Sequence, residues 1–380
     1  MRIGIDTRIL SWSGSGPWRY LCNLLKELAK IDQDNEYFLF SDKNESLSAI
    51  AWSNMKKIMI RSCFKGHVLD PVWDNMLLPV ALRRNRINIF HSPYNILPLV
   101  KICPSIVTIH DIAFEIYPED FPIEDRIYLK MFTRLAAEAA DIVIVPSTHV
   151  GMNVAQIYKI PENKVRVIYE AADEIFRPMD KQEAKERIAQ EYGIEDNFIL
   201  YVGFVRPRRN VPTLLKAFHM LRKQYSIRHK LIIVGENLGS IDFLNFVKSD
   251  LEKELIHLKY VPDNDLSLLY NAAEIFVYPS LYEGFGLPLV EAMACGTPIV
   301  ASDGPPMPEI VGDAGLFVDP FDVSQMAQTI YEVLADENLR SNLREKSLKR
   351  SLFFTWKKTA EKTLSAYREI ERNLPLEAKT

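Results

Sequence analysis

The sequence is poor in cysteine, and its few cysteines are scattered. Four occur in 380 residues, and no two of them form a Cys-x-x-Cys pair: Cys22, Cys63, Cys103 and Cys295. Zinc sites and disulfide frameworks need closely or regularly spaced cysteines, so this spacing argues against both. It fits a protein of a reducing compartment.

Long apolar runs and an excess of one charge are also missing. No apolar stretch approaches the about 18 residues that a membrane-spanning helix needs, and with the first predicted strand at Arg2 we expect no secretory signal. The net charge of -4 gives no reason to expect a nucleic-acid partner. We therefore expect a cytoplasmic protein.

The length and the order of predicted elements indicate two domains. Short apolar strands alternate with helix-length segments, and this alternation starts afresh near residue 175, which is typical of parallel sheets covered by helices on both faces. We predict an α/β protein with two doubly wound, Rossmann-like domains, 1–174 and 175–356. A ligand is expected in a cleft between them, and a final helix within 357–380 is expected to pack back on the first domain.

Individual elements follow from apolar runs and helical periodicity. The predicted strands are 2–7, 37–41, 57–60, 87–91, 106–109, 142–145, one within 165–173, 198–203, 230–235, 275–278 and 298–302. The predicted helices include 18–30, 181–191, 211–222, 265–272 and 357–372.

The stretch 278–303 is the most informative part of the chain. Glu283 lies in a glycine-rich turn between a strand ending at Tyr278 and a helix predicted to begin near Pro288, and Glu291 follows about one turn into that helix. Free N–H groups at a helix N-terminus attract anions, usually phosphate. Carboxylates accept hydrogen bonds from hydroxyl groups. A site for phosphate next to carboxylates that accept from hydroxyl groups predicts a ligand with both kinds of group, which a sugar nucleotide has.

Three arginines follow the strand predicted at 198–203: Arg206, Arg208 and Arg209. A run of like charge is commonly solvated, but this one ends where the helix 211–222 begins, and the guanidinium fork matches phosphate oxygens. We predict that the loop binds a diphosphate.

Two histidines directly follow or end predicted strands, where ligands of open parallel sheets bind. A lone histidine is more often structural, but the position of His110 at a strand end, beside Asp111, favours a functional role. For His91, a structural role in the wall of the cleft is equally supported.

Two glycines near the N-terminus, Gly14 and Gly16, do not form a dinucleotide-binding motif. Gly14 comes several residues after the strand, and Arg19 stands where the third glycine belongs, so the sequence argues against NAD. The glycines would instead let the backbone approach a ligand that enters from the opposite domain.

Taken together, these motifs resemble the retaining glycosyltransferases of family 4, which have the two-domain GT-B fold. Glu283 and Glu291 match the Glu-x7-Glu signature of that family. Further matches follow in order over nearly the whole chain, at 14–20, 90–93, 107–114, 145–147, 201–203, 207–210, 260–263 and 354–356. The similarity is to the branch of mannosyl- and rhamnosyltransferases of bacterial polysaccharide assembly.

The resemblance implies a role for each matching residue. The implied catalytic residues are Glu283 at the donor sugar's hydroxyls, Arg208 and Arg209 at the leaving diphosphate, and His110 beside the sugar. The other implied donor contacts are Gly14 and Gly16 from the first domain, Arg206 in the diphosphate loop, Tyr260 and Val261 at the base, the backbone of Phe285, Gly286 and Leu287 at the sugar and phosphates, and Glu291 at the ribose.

Two positions depart from the family pattern. Arg209 stands where lysine is usual, which preserves the charge but alters the geometry. Trp18, after Pro17, stands where a further glycine is common, which makes the N-terminal loop stiffer and bulkier. We interpret Trp18 either as lining the acceptor site or as a staple of the following helix.

The implied reaction is transfer of a hexose from a nucleotide diphosphate sugar, of the GDP-mannose or UDP-glucose type, to a saccharide or lipid-linked saccharide. We expect no cofactor and no metal, because arginines and a helix N-terminus supply positive charge and no Asp-x-Asp motif lies near the end of a predicted strand. Two alternatives remain open: a GT-B-fold sugar-nucleotide epimerase, and a non-catalytic nucleotide-sugar binder.

Basic and apolar residues in the first domain also suggest peripheral contact with the inner face of a membrane, where a lipid-linked acceptor would lie. These residues are Trp52, Lys56, Lys57, Arg61, Lys65, Trp73, Arg83, Arg84, Arg86 and the run 76–82. Helices packed on the sheet, with solvated basic edges, explain the same residues equally well.

Overall fold

The computed structural model describes residues 1–43, 54–61, 72–237, 251 and 253–373. The chain divides into two compact units, one of Met1–Glu170 with Trp356–Thr380 and one of Ala171–Thr355. The domain boundaries predicted from the sequence lie after residue 174 and after residue 356. Within the described ranges, no helix is long and apolar enough to cross a membrane.

The first unit is built on a seven-stranded sheet in which all neighbouring strands are parallel. Its strands are β1 (Arg2–Asp6), β2 (Glu36–Ser41), β3 (Met55–Met59), β4 (Ile89–Ser92), β5 (Ser105–Thr108), β6 (Ile142–Val145) and β7 (Val165–Val167). They are arranged in the order β3-β2-β1-β4-β5-β6-β7. Every residue of β5 and β6 is buried, as expected for strands covered on both faces.

Helices cover this sheet. They are α1 (Gly16–Ile31), α2 (Leu78–Arg84), α3 (Ala113–Ile116), α4 (Ile123–Ala139), α5 (Thr148–Tyr158) and the C-terminal helix (Trp356–Asn373). α1 begins where the Ser15 side chain accepts a hydrogen bond from the Trp18 N–H, an N-cap that satisfies one of the helix's unpaired donors. Its leucines are buried, and the C-terminal helix packs against it.

The second unit repeats the architecture with six parallel strands. They are β8 (Phe198–Val202), β9 (Lys230–Val234), β10 (Leu255–Leu258), β11 (Ile275–Tyr278), β12 (Ile299–Ser302) and β13 (Gly315–Val318), in the order β10-β9-β8-β11-β12-β13. Its described helices are α6 (Lys181–Tyr192), α7 (Val211–Gln224), α8 (Asp263–Ala272), α9 (Leu287–Cys295), α10 (Met307–Val311), α11 (Val323–Ala335) and α12 (Glu337–Ser351). The predicted α/β class with two doubly wound sheets is confirmed.

The strand orders contain one switch point in each sheet. The direction of winding reverses between β1 and β4 in the first sheet and between β8 and β11 in the second. Loops after such a pair of strands diverge and leave a crevice at the carboxyl edge, which is where open α/β sheets bind ligands. The loops after β1 and β4 are therefore the candidate ligand-binding loops of the first unit, and those after β8 and β11 are the candidate loops of the second.

Part of the predicted membrane-contacting set is wrong. Trp73 is fully buried, and the Arg8 guanidinium lies 3.7 Å from its ring centroid, so its ring cannot lie on a bilayer. Within the run 76–82, Leu78 and Leu82 are buried in the core while Met76 and Val80 are exposed. Trp52 and Lys65 lie outside the described residues.

Candidate active site

A buried cluster of Tyr278, Glu283 and Arg209 lies at the switch point of the second sheet. Tyr278 ends β11, and its hydroxyl donates a hydrogen bond of 2.8 Å to Glu283 Oε1. The Arg209 guanidinium, from the loop after β8, contacts both the Tyr278 hydroxyl and Glu283 Oε1. Glu283 and Arg209, which the sequence predicts as separate site residues, thus come together, and Tyr278 is a third member that the sequence analysis missed.

The two oxygens of the Glu283 carboxylate have different surroundings. Oε1 takes both protein contacts, whereas Oε2 makes none with the described residues. The residue is only 4% exposed. A buried carboxylate requires a nearby positive charge, which Arg209 supplies. One oxygen thus remains available to a hydroxyl group.

The arginine loop is held in place by backbone and side-chain bonds. Residues Pro207–Arg209 form a single turn of 3-10 helix, and the Arg208 carbonyl accepts a 2.8 Å hydrogen bond from the Leu281 N–H of the loop after β11. Asn210, with φ of 54°, then turns the chain into α7 and donates from its side chain to the Pro320 carbonyl at 2.6 Å. Arg208 is buried, unlike a solvated run of charge. Arg206 lies beside Phe204, with its Cζ 5.9 Å from the ring centroid.

The turn that opens α9 leaves its first N–H groups without a side-chain acceptor. Gly286 caps the helix with φ of 98°, a backbone conformation that side chains disfavour and glycine adopts readily. Helix α9 starts at Leu287, with Pro288 in its first turn, as the sequence predicts. The Phe285 ring packs edge-to-face on Phe354, with centroids 5.7 Å apart.

Glu291 lies within α9 and has a different partner from Glu283. Its Oε2 accepts a 3.0 Å hydrogen bond from the hydroxyl of Tyr270 in α8, and the residue is 4% exposed. Burial and the neighbouring Glu291 charge raise the pKa of Tyr270 well above its ordinary value, so the phenol stays protonated and donates. The predicted base contacts differ in exposure: Tyr260 is 75% exposed and Val261 is buried.

In the first unit, His110 has a partner on each ring nitrogen. Nδ1 lies 2.8 Å from Glu170 Oε1, and Nε2 lies 2.9 Å from the Pro93 carbonyl oxygen. Each ring nitrogen therefore lies at hydrogen-bond distance from an oxygen atom, and the two contacts hold the ring in one orientation. The ring also packs edge-to-face on Tyr20, with centroids 4.8 Å apart. Glu170 is a second residue that the sequence analysis missed.

His91 is a structural residue. It is fully buried, its Nδ1 lies 2.7 Å from the hydroxyl of Tyr367 in the C-terminal helix, and its Nε2 lies 2.8 Å from Thr108 Oγ1. Burial, with a smaller contribution from the charge of His110, lowers the pKa of His91 to about 3. The neutral ring therefore links the C-terminal helix to β5 through its two hydrogen bonds. Of the two roles that the sequence left open for His91, these contacts support the structural one.

The two glycines of the N-terminal loop differ in setting. Gly14 is exposed with φ of 82°, and no atom lies within 4 Å of the place of a Cβ. Gly16 is the first residue of α1. Trp18 is half-buried in the first turn of that helix. Across the parts of the chain that the structure describes, no group of three or more histidine, cysteine or carboxylate side chains is arranged to hold a metal ion.

Comparison with known proteins identifies the family. Residues 14–176 match the model for glycosyltransferase family 4, and residues 184–350 match the model for group 1 glycosyl transferases. The chain is 30% identical to O-antigen chain mannosyltransferase B of Escherichia coli over 389 residues, which cover 97% of this chain and all of the relative. The chain belongs to the family 4 glycosyltransferases.

Other relatives and solved structures agree with this assignment. The glycosyltransferase is 27% identical to O-antigen chain mannosyltransferase RfbU of Salmonella typhimurium, over 85% of this chain and 88% of the relative. Sucrose-phosphate synthase from Thermosynechococcus elongatus superposes with a TM-score of 0.78 at 20% identity, over 98% of this chain and 100% of the other. Anabaena HepE in complex with UDP-glucose superposes with a TM-score of 0.75 at 18% identity, over 97% of this chain and 100% of the other. The predicted GT-B fold is confirmed.

Proposed function

We propose that this glycosyltransferase transfers a hexose from a nucleotide diphosphate sugar to a saccharide or lipid-linked saccharide, with retention of anomeric configuration, in polysaccharide biosynthesis. The observation that carries the proposal is the cluster of Tyr278, Glu283 and Arg209 at the switch point of the second sheet. It offers a cation and a carboxylate side by side, which suits a ligand that has both phosphate and hydroxyl groups.

The cluster supports separate roles for its members. Glu283 Oε2 accepts a hydroxyl hydrogen of the donor sugar, while Oε1 stays bonded to Tyr278. Arg209 Nε has no hydrogen-bond partner within the described parts of the chain, so the guanidinium has a donor left for a phosphate oxygen. Together with Arg208 and the N-terminus of α9, it stabilises the negative charge that grows on the leaving diphosphate as the glycosidic bond stretches.

No metal and no cofactor enter this proposal, because the arginines and the helix N-terminus already supply positive charge where negative charge would develop on the leaving diphosphate. Further donor contacts are proposed by resemblance to the family: Glu291 at the ribose, Tyr260 at the base and His110 of the first unit beside the sugar. Since both His110 nitrogens are already bonded, a direct hydrogen bond to the sugar requires that Pro93 or Glu170 be displaced.

The donor is proposed to be of the GDP-mannose or UDP-glucose type. The names of the curated relatives, both O-antigen chain mannosyltransferases, favour mannose as the sugar. HepE, which has the same fold, was solved with UDP-glucose. GDP-mannose and UDP-glucose are therefore the first two donors to compare.

A thermal-shift panel of GDP, UDP, ADP and TDP, run with wild type, Glu283→Gln, Arg209→Ala and Glu345→Gln, tests the proposal. The true donor nucleotide raises the melting temperature by mass action in wild type and less in Arg209→Ala. Glu345 is exposed on α12, so Glu345→Gln serves as a matched control with wild-type response. If no nucleotide shifts the wild-type protein, the proposal is wrong.

An acceptor-free incubation with the preferred nucleotide sugar separates transfer from epimerisation. A glycosyltransferase leaves the sugar nucleotide unchanged or hydrolyses it slowly, whereas an epimerase converts it to a second sugar nucleotide. Loss of turnover in Glu283→Gln with nucleotide binding retained would further separate an enzyme from a non-catalytic binder.

A further inference from the structure

Two aromatic residues face each other at the switch point of the first sheet. Trp12 lies in the loop after β1, and Tyr94 lies two residues after the end of β4. Their rings are perpendicular, with an interplanar angle of 89° and centroids 4.9 Å apart. Both residues are half-buried, so part of each ring is accessible.

The backbone around both rings is fixed. The Trp12 N–H donates to the Ile9 carbonyl at 3.0 Å, and the Trp12 carbonyl accepts from the Ser15 N–H at 3.1 Å. The Tyr94 carbonyl accepts from Ser92 Oγ at 3.2 Å, and the next residue, Asn95, donates its N–H to the Thr108 carbonyl at 3.0 Å. The pair is therefore preorganised at the place where a doubly wound sheet binds a ligand.

Both rings carry a polar group that lacks a partner among the described residues. Neither the indole N–H of Trp12 nor the hydroxyl of Tyr94 makes a hydrogen bond to any other residue that the structure describes. Tryptophan and tyrosine combine a large apolar face with one polar group, and buried examples usually find a hydrogen-bond partner. Here the partner is left to solvent or to a ligand.

The charges around the pair disfavour an anion. Burial and the carboxylates of Asp111 and Asp125 raise the pKa of Tyr94 above its ordinary value, so the phenol remains a neutral donor. The nearby cation of the loop after β1, Arg8, is occupied by Asp6 at 2.7 Å and also bonds Asp74. A phosphate would meet negative potential here, whereas a neutral ligand with hydroxyl groups would not.

We propose that Trp12 and Tyr94 form the saccharide subsite for the acceptor, binding one pyranose ring by its C–H face and by hydroxyl contacts to the indole N–H and the phenol. A pyranose matches this pair because it has apolar ring faces and a polar rim, and because it carries no charge. The assignment of the subsite to the acceptor rests on the proposed function. Saccharide binding itself can be measured without a donor and without turnover.

Saturation-transfer NMR on the full chain without nucleotide tests the subsite directly. The probes are methyl hexopyranosides of mannose, glucose and galactose and their α- and β-linked disaccharides. We expect ring C–H protons of at least one probe to receive saturation in wild type. Trp12→Ala should reduce that signal by at least about fivefold because the aromatic face is lost, and Trp12→Phe should retain most of it because an aromatic face remains.

Two further variants make the outcome decisive. Tyr94→Phe keeps the ring and removes the hydroxyl, and we expect it to weaken binding by about fivefold, the cost of one hydrogen bond. Tyr331→Ala removes a half-buried aromatic residue of α11, in the second unit, that stacks on Tyr225, and it should leave the signal unchanged. No saccharide signal in folded wild type, or a signal that Trp12→Ala and Tyr94→Phe both leave unchanged, overturns the subsite. A failed nucleotide panel with an intact saccharide signal would instead overturn the proposed function.

Discussion

His110 Nδ1 lies 2.8 Å from Glu170 Oε1, and Glu170 is the last residue of the first unit before the chain enters the second. The histidine that the sequence singled out is thus oriented by a carboxylate 60 residues away in the chain. The Tyr20 ring packs against the same imidazole ring. Its centroid lies 6.3 Å from that of Trp356, the residue at which the chain returns to the first unit. Glu170 therefore contacts His110 directly, and Trp356 is connected to it through Tyr20.

Glu170 is predicted to act through His110. Glu170→Gln removes a charged hydrogen bond, which is worth about 1.5 kcal/mol or more, so we expect turnover to fall about tenfold. Since the two residues act as a unit, Glu170→Gln should add little to the loss in His110→Gln, as measured by initial rates in a double-mutant cycle. Glu138→Gln, at an exposed ion pair in α4, is the control. Losses that multiply in the double variant would show that the residues act independently.

Arg209 and Glu283 are predicted to depend on each other for stability. Arg209→Ala leaves the Glu283 carboxylate buried without its cation, so we expect the free energy of unfolding to fall by about 3 kcal/mol in urea titrations. Combining it with Glu283→Gln removes the unpaired charge and should restore most of that loss, while transfer activity stays low. If the double variant is less stable than Arg209→Ala, the charge pairing inferred for the cluster is wrong.

His91 is predicted to make the first unit sensitive to acid. Its pKa is about 3 in the folded protein and near the ordinary value of 6.5 when unfolded, so below pH 6.5 the unfolded chain takes up the proton first. The stabilisation is complete above pH 6.5 and is lost as the pH falls toward 3. Between pH 7.5 and pH 5 this amounts to about 2 kcal/mol.

The measurement is the free energy of unfolding of wild type and His91→Gln at several pH values. His91→Gln keeps a hydrogen-bonding side chain but cannot titrate, so its stability should change less between pH 7.5 and pH 5. Parallel pH profiles for the two proteins would contradict the assignment of His91 as a buried neutral residue.

Gly235 is predicted to be irreplaceable because of a close approach between backbones. A Cβ there would lie 2.1 Å from the carbonyl oxygen of Gly203, the residue that leads into the arginine loop, and φ is 139°. We expect Gly235→Ala to destabilise the protein by more than about 2 kcal/mol and to weaken nucleotide binding, because the clash displaces that loop. Gly193 also has positive φ but nothing within 4 Å, so Gly193→Ala should cost only about 1 kcal/mol and leave binding intact.

Most of the fold could be predicted because its strands are apolar runs separated by helix-length segments. Two strands were missed for physical reasons. β10 contains His257, whose Nε2 bonds the Gly235 carbonyl at 2.7 Å, and it lies at the sheet edge where a continuous apolar run is not needed. β13 begins at Gly315 and is also an edge strand, so its four residues give little signal.

The sequence could predict which residues lie in strand-end loops and motifs, but not which of them contact one another. Glu283 and Arg209 each lie in a predicted strand-end loop, but their pairing depends on the strand order β8-β11, which no local pattern reveals. Glu170 was missed because it follows β7 without a motif of its own, and Tyr278 was missed because the sequence of the stretch 278–303 does not show that its hydroxyl bonds Glu283. For His91, only the structure could decide between two roles, because its partner Tyr367 is 276 residues away.

The most direct test of the central claim is the acceptor dependence of nucleoside diphosphate release from GDP-mannose and UDP-glucose. The account predicts that one of the two donors is consumed, that release of its nucleotide needs a saccharide or lipid-linked saccharide, and that Glu283→Gln reduces the rate at least about 100-fold while Glu345→Gln does not. Conversion of either donor to a different sugar nucleotide without acceptor, or unchanged release in Glu283→Gln, would contradict it.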